Sequence, residues 1–156
     1  MPRLFFYVAV FALASAVSQS VALAQADPVA VFRQAVDARN RGDITAMLAL
    51  FTPDAMRQDG SCPQGCSGQA MRQSFEQNVA EHFQATVLSA QPTGNVINAR
   101  AELRSDTFRS RGADRLISNF VVELRDGKIA RWTSTLDAGD PQTAAYQAAL
   151  RANPTN

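Results

Sequence analysis

Two cysteines and a single histidine are the sparse reactive side chains of this sequence, and their spacing limits what they can do. Cys62 and Cys66 lie in Gly60-Ser61-Cys62-Pro63-Gln64-Gly65-Cys66-Ser67-Gly68. A close pair of this kind suits a disulfide, a redox couple or two ligands of a metal. Redox motifs place two residues between their sulfurs, and here three intervene, which disfavours the couple. A metal would need ligands from elsewhere, since His82 is the only histidine, so no metal site is expected. The reading adopted is a structural staple, whose short loop stabilises by roughly 2 kcal/mol. His82 has no identifiable nucleophile motif beside it, so no triad emerges, and it reads as packed or solvated. There is no Gly-x-Gly-x-x-Gly and no phosphate loop; no nucleotide, flavin or dinucleotide cofactor is expected.

A disulfide needs an oxidising compartment, and the N-terminus points to one. Arg3 is followed by the apolar run Leu4–Val17, the polar break Ser18-Gln19-Ser20, and small-x-small sites at Ala22-Leu23-Ala24 and Ala24-Gln25-Ala26. Residues 1–26 therefore read as a signal peptide, with export to the periplasm or exterior. The run is short of the roughly 20 apolar residues needed to span a bilayer; an uncleaved anchor is the alternative. No cysteine follows the run to take a lipid. Of 15 basic and 14 acidic side chains, only Arg3 lies in the leader, so the remainder balances at zero. A neutral, mixed chain has no field to attract nucleic acid or an anionic membrane, and neither is expected as a partner.

Residues 27–139 read as one α+β domain, with 140–156 as an accessory C-terminal helix or tail patterned over Ala144–Ala152. Asp27-Pro28 starts helix one, whose inward stripe is Phe32, Ala35, Val36 and, by its stem, Arg39. Gly42 suits a left-handed helix end and Asp43 caps helix two, expected to run to Thr52 before Pro53 stops it. Ala55–Asp59 is a short strand entering the cysteine loop. A third helix over Gly68–His82 carries Met71, Phe75 and Val79 on one face. From Phe83 the period becomes two. Strands are expected from Phe83, over Asn95–Phe108, over Leu116–Leu124 and over Ile129–Asp137, the last pair joined by the Asp126-Gly127 turn. Helices followed by long strands imply a curved antiparallel sheet wrapped around three N-terminal helices, a cone-shaped α+β barrel.

The run Ala35-Val36-Asp37-Ala38-Arg39-Asn40-Arg41-Gly42-Asp43-Ile44 through Leu50-Phe51-Thr52-Pro53-Asp54-Ala55, together with the Arg125-Asp126-Gly127-Lys128-Ile129-x-x-Trp132 hairpin, resembles the nuclear transport factor 2-like superfamily. That group includes SnoaL-like cyclases and ketosteroid isomerases. The resemblance spans Asp27–Asp137 and implies a pocket between sheet and helices. It places Asp59 where the isomerases carry their carboxylate base; a carboxylate facing an apolar pocket suits proton shuttling, and His82 or Asp137 are the residues that could assist it in an enzyme. Two positions depart from the isomerases: Ala35 replaces a tyrosine donor, and Phe120 stands at or beside their protonated aspartic acid. Without those donors the oxyanion term is missing.

Strand parity assigns the pocket lining to Ser118, Phe120 and Val122 on one strand and Trp132, Ser134 and Leu136 on the last. Ala35, Phe51, Phe75 and Val79 join them from the helical part, which makes a mainly apolar cavity. Asn119, Glu123, Arg131, Thr133 and Thr135 occupy the opposite face, and the resemblance implies a homodimer through it. The expectation is an exported binder of a small apolar ligand without turnover. The alternatives are an isomerase, cyclase or lyase with Asp59 as general base, and a dimeric interaction module.

Overall fold

The structure is a computed structural model that describes residues 27–152; the expected leader and its cleavage site lie outside the described residues. Helix α1 spans Pro28–Asn40, and Asp27 caps it by accepting from the Val29 amide at 3.0 Å. Its end is a Schellman motif: the Gly42 amide donates to the Arg39 carbonyl and the Asp43 amide to the Ala38 carbonyl, both at 2.9 Å. Gly42 takes φ +74° there, and Asp43 caps α2, Ile44–Ala49, through the Ala46 amide at 2.9 Å.

Helix α2 is shorter than the sequence suggests, because Phe51 and Thr52 already belong to β1, Phe51–Asp59. Pro53 biases Thr52 toward extended angles, and the last strand then captures the segment. Phe51 pairs with Ile129, and the Ile129 amide donates to the Leu50 carbonyl at 2.8 Å. Pro53 sits where the register slips between Phe51 and Met56, the irregular position a proline tolerates inside a sheet. The cysteine segment is itself strand β2, Cys62–Cys66, paired antiparallel to β1. Helix α3 follows over Gly68–Ala80.

Strands β3, Gln84–Thr93, and β4, Val96–Arg104, form a long hairpin. The strand expected to reach Phe108 stops at Arg104, since Ser105 caps a short helix α4, Asp106–Ser110, by accepting from the Phe108 amide at 3.1 Å. Strands β5, Leu116–Arg125, and β6, Lys128–Leu136, join through Asp126 and Gly127 at φ +52° and +73°. Helix α5 closes the chain over Pro141–Ala152. The sheet runs β2-β1-β6-β5-β4-β3, antiparallel throughout except for the parallel β1–β6 pair. Phe32, Met47, Phe75, Ile97, Val122, Ile129 and Trp132 fill the core between this sheet and the helices.

Candidate functional site

A cavity of about 320 Å³ lies between the inner sheet face, the ends of α1 and α3, and helices α4 and α5. Ser118, Phe120, Ser134 and Leu136 line it, as strand parity predicts, and so does Asp59, which the resemblance placed in the pocket. The other expected lining residues sit elsewhere. Ala35, Phe51, Phe75, Val122 and Trp132 are buried in the core, and Val79 packs against it. Parity selects the face of a strand but not the depth along a cone, and these side chains fall in its filled part. Trp132 is enclosed by Phe32, Phe51 and Phe120, with ring centroids 5.3, 5.9 and 5.5 Å away. His82 is 78 % exposed and pairs with Asp106 at 2.6 Å. Asp137 is held by Arg100 at 2.8 Å and by the Gly139 amide at 2.9 Å. Neither borders the cavity.

The lining is more polar than expected, chiefly because of two buried arginines. Arg57 is 2 % exposed and Arg39 3 %. Arg57 shares the inner face of β1 with Ala55 and Asp59, two residues to either side. Its guanidinium lies 4.2 Å from the Phe75 ring centroid. Its Nε donates to Asp59 Oδ2 at 2.6 Å, Nη1 to Ser74 Oγ at 2.8 Å and Nη2 to Ser61 Oγ at 3.0 Å. The other Asp59 oxygen accepts from the Ser61 amide at 2.9 Å, Ser61 Oγ at 2.8 Å and the Cys62 amide at 3.1 Å. Burial pushes the Asp59 carboxyl up, but the Arg57 charge and the Ser61 donors outweigh it and hold it below the usual carboxylate range. The Cys62–Cys66 disulfide closes the strand whose first residue supplies one of those donors.

Arg39 reaches the cavity from the last turn of α1. The Schellman end fixes the phase of that turn, and Asn40 ties it to β3 by donating to the Ala85 carbonyl at 2.8 Å and accepting from the Ala85 amide at 2.9 Å. This places the Arg39 guanidinium 4.1 Å above the Phe83 ring. Nε and Nη2 of Arg39 are buried and have no hydrogen-bond partner among the described residues. Burial, reinforced by repulsion from Arg57 and opposed by Asp59, lowers its pKa to about 9. The sequence signal was present, since Arg39 falls on the apolar stripe of helix one and Arg57 alternates in phase with Ala55. Helix α5, expected as accessory, contributes Tyr146 and Leu150 to the cavity wall.

A helix-covered cavity inside a curved six-stranded sheet is the nuclear transport factor 2-like cone fold. Residues 32–132 match the model of the SnoaL-like domain, and the chain belongs to that family. The structure is similar to SalBIII, an epoxide hydrolase/cyclase-like enzyme of pyran ring formation in salinomycin, at TM-score 0.62 and 18 % identity, covering 72 % of this chain and 92 % of that one. A proposed polyketide cyclase from Sinorhizobium meliloti aligns at TM-score 0.60 and 20 % identity, covering 68 % and 94 %. A proposed ketosteroid isomerase from Kribbella flavida aligns at 0.59 and 22 %, covering 70 % and 77 %. At these identities the likeness concerns the fold. Comparison with curated proteins gives no match.

Proposed function

We propose that this chain is an exported SnoaL-like protein that holds a small molecule with an apolar body in its cone cavity and does not turn it over. The observation that carries the reading is the state of Asp59. Both of its oxygens are occupied, one by Arg57 and the other by three donors from the Ser61–Cys62 turn. A general base needs a free lone pair within reach of the proton and a pKa near the working pH. Asp59 lacks the second, because Arg57 and the Ser61 donors hold its carboxyl below the usual carboxylate range, and among the described residues no histidine faces the cavity to replace it. The enzymatic alternatives with Asp59 as base lose support on the same ground. Phe108, Phe120, Leu136 and Leu150 supply an apolar wall, and the cavity volume matches the small end of ligand sites.

Export rests on the leader pattern and accords with the Cys62–Cys66 disulfide, a bond that persists in oxidising compartments. The test is a thermal-shift titration with small naphthalene derivatives, followed by mass spectrometry of the recovered compound. Concentration-dependent stabilisation with the compound returned unchanged is the expected result. Recovery of a chemically altered compound would overturn the absence of turnover, and no stabilisation by any of them would overturn binding.

A further inference from the structure

Folded proteins rarely leave a buried charge without a partner, because desolvating an ion costs several kcal/mol that only a counter-charge and hydrogen bonds offset. Within this cavity the Arg57–Asp59 pair is internally neutral and hydrogen-bonded on both sides. Arg39 is therefore the surplus cation. Stacking on Phe83 engages one face of its guanidinium, and in its plane the buried Nε and Nη2 have no acceptor among the described residues. Two other charged side chains border the cavity. Glu81 is half-buried and accepts from Gln77 at 2.9 Å, and Arg111 is exposed; neither bonds to Arg39.

We propose that the Arg39 guanidinium receives the carboxylate of an amphipathic monocarboxylic acid, whose apolar body lies against Phe108, Phe120 and Leu136. This rests on the cavity-binding reading above and adds the chemical class of the ligand. The edge of a guanidinium presents parallel N–H donors that match the two oxygens of a carboxylate. One surplus positive charge calls for one negative charge. A phosphate monoester would bring close to two, and the second would be buried without a counter-ion. The flanking wall is aromatic and aliphatic, which suits a hydrocarbon body and gives nothing to a bare inorganic anion.

The probes are 2-naphthoate, the neutral 2-naphthalenemethanol with the same ring system, inorganic phosphate and chloride. They are titrated at neutral pH against the mature chain with its disulfide intact, using calorimetry and Trp132 fluorescence. The acid is expected to bind about tenfold or more tightly than the alcohol, the size of a charge-assisted hydrogen bond. Arg39→Met is expected to erase that preference, leave the alcohol within about twofold, and raise or preserve the melting temperature of the unliganded protein, since it removes an unpaired buried charge. Arg39→Lys keeps the charge without the fork and is expected to retain only part of the preference.

Equal binding of acid and alcohol overturns the carboxylate assignment and leaves the cavity-binding reading standing. Binding of neither overturns both. Phosphate or chloride displacing naphthoate at equal concentration overturns the amphipathic acid in favour of a plain anion site. An Arg39→Met protein that melts lower yet binds naphthoate unchanged assigns Arg39 a structural role instead.

Discussion

Arg57 and Asp59, separated by one residue on β1, meet at 2.6 Å on the inner side of the sheet, so the candidate general base sits in a buried ion pair. The side chains are 2 % and 10 % exposed, so the pair is screened little by water. Asp59→Asn keeps the shape and some hydrogen bonds but leaves the Arg57 charge buried without its counter-charge. A loss of about 3 kcal/mol is expected, the low end for breaking a buried pair. Urea denaturation at neutral pH measures it. The double change Arg57→Met with Asp59→Leu is expected to cost less than the single one, because no unpaired ion remains.

The same pair sets an acid limit. Burial raises the Asp59 carboxyl, but Arg57 and Ser61 lower it further, so its folded pKa lies below the unfolded value of about 3.9. Its contribution is complete above that unfolded value and is lost as pH falls through the folded one. Asp54, Asp106, Asp137 and Asp140 also lie below their ordinary range, so acid lability as such is not specific to Asp59. The informative quantity is the difference between the parent and Asp59→Asn. The stability gap is expected to be constant from about pH 7 to about pH 5 and to narrow below about pH 4. A gap that widens on acidification contradicts the assignment.

Local chemistry made part of this architecture legible, and contacts distant in sequence hid the rest. The Gly42-Asp43 corner and the Asp126-Gly127 turn were readable because each depends on a few adjacent residues and a left-handed backbone angle. Pro53 marked a boundary, but whether Phe51 belonged to helix or strand was decided by Ile129, far along the chain. Arg39 stood on the correct stripe of helix one. The burial of its charged end, however, depends on Phe83, brought over it by the Asn40–Ala85 hydrogen bonds. The resemblance marks Asp59, whereas its neutralising partner Arg57, two positions earlier, shows in the sequence only as a charged residue in phase with the buried side of its strand.

Gly42→Ala tests the corner that phases Arg39. Its φ of +74° is costly for any residue with a Cβ, and an added Cβ would meet Val79 Cγ1 at 3.3 Å. A destabilisation of about 1–2 kcal/mol is expected, read from the melting temperature. Gly94→Ala is the control, because it carries the same backbone strain at φ +60° with nothing within 4 Å of the new atom. Its cost is expected to be smaller by the Val79 contact.

The staple stabilises by closing a short loop, and it also supports the turn beneath Asp59. Cys62 and Cys66 terminate β2, with Cys62 paired to Asp59 and Cys66 to Arg57. Replacing both cysteines by serine is expected to cost roughly 2 kcal/mol from loop closure alone. Loosening the amides that hold Asp59 adds to that figure. Melting the oxidised protein and the double-serine variant side by side measures the total. The Asp59→Asn penalty is then expected to shrink in the double-serine background, because residues sharing one network are not additive.

Helix α5 closes the cavity and buries two residues, Thr143 as a polar tie to β5 and Tyr146 as part of the wall, which lets its role in stability be separated from its role in binding. Thr143 is fully buried. Its Oγ1 accepts from the Ile117 amide at 2.8 Å and donates to Asp140 Oδ1 at 2.8 Å. Thr143→Val keeps the volume but strands the Ile117 amide, while Asp140 Oδ1 loses the hydroxyl donor and keeps the backbone amide of the same residue at 3.0 Å. A loss of about 1–3 kcal/mol is expected for a buried polar group left unmatched. If α5 is a wall of the site, the same variant also weakens naphthoate binding, because Tyr146 and Leu150 ride on that helix. Tyr146→Leu completes the comparison: it is expected to lower affinity while leaving the Thr143 anchor in place. A Tyr146→Leu protein that binds as the parent does would show that the ligand rests on the sheet, α1 and α4 without α5.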